Sequence, residues 1–157
     1  MKYPESSGVL RRLDQQEALL IGPCDGTETF AATRAVSIYS KVDIVRFASV
    51  TEPTTLSSVA MFEPTIEASL PQMFTSLSMD LNALCFTEHQ IILFCRTHLK
   101  LLRKSYPTFL LFRVGRLFFV AWAFDYEHTP VVTVHDFYVN HALPADPYRV
   151  VVPEFAL

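Results

Sequence analysis

The sequence predicts a single α+β domain, with N-terminal helices and a long helix packed on a C-terminal antiparallel β-meander. Three observations lead there. The chain has 157 residues, half of them apolar and 13% aromatic with only 18% charged. That is enough for one core burying about 70% of the surface the unfolded chain exposes, with no need of a staple. The stretch after Cys85 opens on a helix-start signature and must stop before Pro107. Beyond it, apolar segments separated by turn residues run nearly to the end, as strands joined by short connections do. Residues 1–157 are read as one domain, with 71–157 better defined by pattern than 1–70.

Near the N-terminus, residues 11–17 fit a helix or turn, and the apolar stretch 18–21 is ended by Gly22 and Pro23. Thr27 fits an N-cap and Glu28 suits the first turn of a helix dipole, so a helix is expected over residues 27–39. Residues 42–50 alternate loosely as a strand does. Residues 51–70, rich in Thr, Ser and Pro, read as loop. Pro71 fits the first position of a short helix over 71–77, with a turn following through Leu84.

Thr87 and Gln90 form a capping-box pattern, in which the hydroxyl accepts from the third helical N–H and the amide reaches back to the cap. The long helix is therefore expected to run from there to about Ser105, where Pro107 stops it. Residues 109–114 and 117–126 read as a hairpin about Gly115 and Arg116, pairing Val114 with Leu117. In that register Phe109, Leu111 and Arg113 share a face with Trp122, Val120 and Phe118, while Leu110, Phe112 and Val114 share the other with Ala121, Phe119 and Leu117. Both faces are apolar, so the sheet is either covered on both sides or reserves one side for a partner or a second copy of the chain. A third strand over 131–139 follows a loop of residues 127–130. If Tyr126 faces Val131, His135 lands beside Trp122. Residues 149–152 make a last strand before Pro153.

Charge is distributed unevenly. Between Glu88 and Asp125 the chain carries Arg96, Lys100, Arg103, Lys104, Arg113 and Arg116 and no carboxylate, although the whole sums to -3. On a continuous helix, Arg96, Lys100, Arg103 and Lys104 fall within about 100° of one another and share one face. Such a stripe is ordinarily a solvated helix face, but the missing acids favour a local positive field that holds phosphate or an acidic partner. Four duplex phosphate contacts imply a log-log salt slope of about -3.6. The row Phe118, Trp122, Phe124 and Tyr126 alternates along one strand beside Arg113. It reads first as core packing, and alternatively as a stacking platform for bases.

Other chemistry is thinly represented. His89 and His98 lie on opposite sides of one helix and cannot share a metal ion, and no metal or cofactor is expected. His135, Asp136 and His141 are near one another along the chain, with Arg149 as a further anion contact. Cys24, Cys85 and Cys95 are an odd set without C-x-x-C spacing, which fits neither a disulfide framework nor a zinc knuckle. No apolar run reaches the roughly 18 to 20 residues a spanning helix needs. The polar residues after Pro4 do not fit a secretory signal, and a cytoplasmic location is expected.

From Gln72–Met73–Phe74 and Ser76–Leu77, through Leu84–Cys85, Thr87, Gln90–Ile91, Thr97–His98, Leu102–Arg103, Thr108–Phe109 and Leu111–Phe112, to Tyr148–Arg149 and Pro153, the chain resembles a group of bacterial hypothetical proteins without an assigned activity. The resemblance implies a folded unit over these residues and carries over no functional residue.

Function is read accordingly as a non-enzymatic binding module that meets an acidic protein or nucleic acid through Arg96, Lys100, Arg103, Lys104, Arg113, Arg116, Trp122 and His135. The alternative is a small ribonuclease resembling the RelE toxins at the level of fold, with Arg103, Arg113, His135 and Arg149 on the RNA. Both readings need the basic side of the long helix to stay free of carboxylates.

Overall fold

The computed structural model describes residues 8–14, 18–40, 46–139, 141–145 and 147–154. Its centre is a mixed eight-stranded sheet in the order β1-β4-β8-β5-β6-β7-β3, with β2 pairing β4 off that path. The strands are β1 (Leu10–Arg12), β2 (Leu20–Ile21), β3 (Ser37–Ser40), β4 (Ser57–Pro64), β5 (Thr108–Val114), β6 (Leu117–Tyr126), β7 (Thr129–Asp136) and β8 (Arg149–Pro153). Two α-helices accompany them, α1 (Leu70–Thr75) and α2 (Glu88–Thr97).

This corrects the expected fold class. Among the described residues no α-helix precedes α1, and the first strands join the same sheet as the meander. The chain over 27–36 forms turns and then enters β3. Thr27 does not cap a helix there: its N–H and hydroxyl both donate to Asp25 Oδ1, at 3.0 and 2.6 Å. Of the strand expected over 42–50, residues 42–45 lie outside the described residues and residues 46–50 form no strand. The expected loop over 51–70 contains β4, whose run Val59 to Phe62 is buried. β4 pairs antiparallel with both β1 and β8.

The meander forms as an antiparallel set. Val114 pairs with Leu117 and Phe109 with Trp122, and Gly115 takes φ 60°, the left-handed first position that a type II′ turn requires. Between β6 and β7, Tyr126 pairs with Thr129 rather than Val131. The connection is a tight two-residue turn in which Glu127 and His128 both have positive φ, 51° and 65°. Asp125 Oδ1 supports it by accepting from His128 N at 2.9 Å. β8 does not extend the meander: it inserts between β4 and β5 and runs parallel to β5. β3 runs parallel to β7 at the sheet edge.

Both faces of the central strands are covered. On the first face Leu110, Phe112, Phe119, Ala121 and Val151 pack with Ile91, Ile92, Phe94 and Cys95 of α2 and with Phe30 and Phe47. On the second, Phe109, Leu111, Val120, Phe62 and Val150 pack with Leu70, Met73 and Phe74 of α1. α2 starts at the expected cap, and α1 starts at Leu70, one residue before the expected Pro71. Ser69 with Gln72 and Thr87 with Gln90 both form reciprocal capping boxes.

The second helix stops earlier than expected. It ends at Thr97, His98 takes φ -120° and ψ 35°, and a 3-10 turn covers Leu99–Leu101. Two contacts hold the break. His98 Nε2 lies 2.6 Å from Leu20 O, and the Leu101 carbonyl, released from helical bonding, accepts from Arg149 Nη1 at 2.9 Å. Leaving the helix lets Leu99, Leu101 and Leu102 turn onto the first-face core.

Candidate functional site

Among the described residues, cover is incomplete at one end of the second face. The α1-side core reaches Phe118, Val120 and Trp122 on β6, and none of its members lies on β7 or β3. Alternation and pairing place Phe124 of β6, Val131 and Thr133 of β7, and Ser37 and Tyr39 of β3 in rows on that same face. Tyr39 is 63% exposed and Tyr126 65%, while Phe124, Val131 and Thr133 are half-buried. All of these but Thr133 line a groove of about 570 Å³ together with Lys104. Asp125, where the backbone N–H donates to Arg103 O at 3.1 Å, borders this groove and also a second one of about 880 Å³. The second is lined by Arg96, His98, Lys100 and His128, with Asp14 and Asp125 as its acids.

The basic residues are not one helix face, because Lys100, Arg103 and Lys104 all follow the end of α2. Arg96 and Lys100 are exposed along the second groove, and Lys104 along the first. Arg103 turns inward: Nη2 lies 3.6 Å from Glu63 Oε1, and Nη1 donates to Pro147 O at 3.2 Å. For this residue the carboxylate-free premise fails. Glu63 also faces Arg149 Nε at 3.8 Å and Arg11 Nη2 at 3.4 Å. Burial lowers the pKa of the Arg149 guanidinium, with Arg103 adding to the effect and Glu63 opposing it.

Arg113 donates to Asn82 Oδ1, and Arg116 is exposed in the β5–β6 turn. Both sit at the opposite end of β6 from Phe124 and Tyr126. Trp122 and His135 do come together, their rings stacked with centroids 3.9 Å apart and planes at 26°. His135 pairs across strands with Val120, so the stack is diagonal. Arg103 and Arg149 gather at Glu63 on the α2 side of the sheet, whereas alternation puts His135 on the other side. The four residues named for RNA cleavage do not converge.

Two other groups have structural explanations. Glu88 at the start of α2 is 2% exposed, and its oxygens accept from Phe30 N at 2.9 Å and Ser49 N at 3.0 Å. Burial raises its pKa, and those two N–H donors work against the rise. The buried Cys95 and half-buried Cys85 thiols are pushed up to about 12 by desolvation, far from the thiolate state that attacks or ligates. Among the described residues no group of His, Cys, Asp and Glu could hold a metal ion, and no helix is long and apolar enough to cross a membrane.

Sequence reasoning missed Tyr39 and Ser37, because it placed them in a helix. The available signal was the β-propensity of Ile38 and Tyr39. Comparison of the chain with protein-family models, with curated proteins and with solved structures finds no match, so no relative's activity bears on these residues.

Proposed function

We propose that the protein binds single-stranded nucleic acid across the end of the sheet where Tyr39, Phe124 and Tyr126 lie beside Lys104. The observation behind this is the juxtaposition of two grooves at Asp125. One presents aromatic rings on an incompletely covered sheet face, and the other presents Arg96 and Lys100. Stacking on aromatic side chains contributes about 1–3 kcal/mol per base and tolerates any sequence. The cations meet the phosphates that run between the bases.

Charge balance sets the proportions. Arg96, Lys100 and Lys104 share the grooves with Asp14, Asp125 and Glu127, so stacking carries most of the affinity. Three phosphate contacts on a single strand give a log-log salt slope of about -2, shallower than the slope a four-cation helix face implies on duplex. A duplex hides its base faces and binds weakly here.

The experiment is titration of a labelled single strand and of the matching duplex against the full chain across a salt series. Preference for the single strand supports the proposal. Equal binding of both removes stacking as its basis. An acidic protein partner gives a different pattern, sensitive to Arg96 and Lys100 and insensitive to Tyr126. The ribonuclease alternative drew on helices preceding an antiparallel sheet, whereas here β1 to β4 precede α1 and join a mixed sheet.

A further inference from the structure

The groove of about 880 Å³ contains two histidines that stacking and the three cations leave without a role. Among the described residues its charged lining is Arg96 of α2 and Lys100 of the 3-10 turn against Asp14, which follows β1, and Asp125, near the end of β6. His98 and His128 stand among them, with Glu127 next to His128 in its turn. Two cations and two carboxylates cancel while both imidazoles are neutral. With both protonated, the same groove carries an excess of two positive charges.

Each imidazole is placed by the fold. His98 caps the C-terminal end of α2, its ring lies against Phe94 with centroids 5.0 Å apart, and Nε2 lies 2.6 Å from Leu20 O. A carbonyl only accepts, so Nε2 carries the proton of the neutral ring and Nδ1 is the atom that gains the second. Protonation therefore adds charge without breaking the contact that ends α2. His128 is exposed in the β6–β7 turn with φ 65°, and its backbone N–H donates to Asp125 Oδ1 at 2.9 Å. That bond holds the turn from which the ring projects and engages one oxygen of Asp125.

We propose that His98 and His128 make the phosphate contacts of the bound strand pH-dependent, so that acidification charges this groove and tightens binding. Histidine is the side chain that ordinarily changes charge between pH 5 and 8, a range in which phosphodiesters stay fully negative. The lining of the aromatic groove includes no histidine among the described residues, so stacking stays the same and only the electrostatic share changes. The inference rests on the nucleic-acid reading above and adds regulation to it.

The test is anisotropy titration of the full chain with an end-labelled oligothymidylate across a salt series, at about pH 8 and about pH 5.5. Thymine carries no group that titrates between them. Three cations on phosphates give a log-log slope of about -2 at the higher pH, and two added imidazolium contacts steepen it to about -3.5. Low-salt affinity should rise roughly tenfold, the order expected of two exposed charge pairs. The double variant His98→Gln with His128→Asn should show one slope at both pH values. Gln keeps an N–H for Leu20 O, and Asn tolerates the left-handed backbone at position 128. His128→Asn alone, at an exposed turn position, should remove about half of the steepening, and it carries the test should the double variant fail to fold. Strand binding with the same affinity and slope at both pH values overturns the proposal and leaves the proposed function standing. An acid response of full size in the variants also overturns it, placing the titrating group elsewhere. Absence of strand binding at both pH values removes the proposal and the proposed function together.

Discussion

Glu63 Oε1 lies 3.6 Å from Arg103 Nη2, and this pairing takes Arg103 out of the exposed basic set although Lys104 follows it directly. Arg103 is held on the α2 side of the sheet by Glu63 and Pro147 O, while Lys104 borders the aromatic groove. Adjacent cations therefore have different expected effects. Arg103→Ala should leave single-strand affinity within about twofold, and should cost on the order of 1 kcal/mol of stability, because its side chain is 34% exposed and the ion pair is partly screened. Lys104→Ala should weaken binding and reduce the salt slope by about 0.7. Anisotropy titrations and urea unfolding measure the two. The opposite ranking would mean that Arg103 leaves Glu63 to meet the ligand.

Glu88 ties α2 to two loops through Phe30 N and Ser49 N. Glu88→Ala strands both buried donors and should cost about 2–4 kcal/mol in urea unfolding. The pH dependence has a definite sign. Burial raises the folded-state pKa of Glu88, so the folded chain holds this proton more tightly than the unfolded one. Stability from this group is present below the ordinary carboxylate range and declines as pH rises through the raised value. The stability gap between wild type and Glu88→Gln should narrow with rising pH. A widening gap would reverse the assignment.

Two glycines with positive φ separate backbone strain from steric collision. Gly26 has φ 84°, and a Cβ there would sit 2.1 Å from Thr51 O; Thr51 N in turn donates to Gly26 O at 3.0 Å, so the neighbour cannot withdraw. Gly115 has φ 60° with nothing within 4 Å of its Cβ position. Gly115→Ala should cost about 1 kcal/mol, the left-handed penalty alone, and Gly26→Ala clearly more. Equal losses in thermal unfolding would mean that the Thr51 contact relaxes freely.

The parts of the fold legible in the sequence are those specified locally. Thr87 with Gln90 sets a helix start within four residues of chain, and Gly115 fixes the β5–β6 register through its turn. The β6–β7 register was misjudged because Glu127 and His128 adopt positive φ without the Asn or Gly that usually marks such a turn. β3 and β8 pair in parallel with strands remote or non-adjacent in sequence, and no local pattern encodes that. The end of α2 depends on Leu20 O and Arg149, partners that periodicity cannot reveal. Of the site, the aromatic row on β6 was visible from alternation. Its division into a packed half, Phe118 and Trp122, and an open half, Phe124 and Tyr126, follows from how far α1 reaches.

The most direct measurement is the affinity of wild type and Tyr126→Ala for one labelled oligopyrimidine strand over a range of salt. Tyr126 is 65% exposed on the open face, so its removal leaves the fold intact. Binding by stacking on this face predicts a loss of about 1–3 kcal/mol in the variant, with the salt slope unchanged. Equal affinity of the two proteins, or no binding by wild type at low salt, would contradict it.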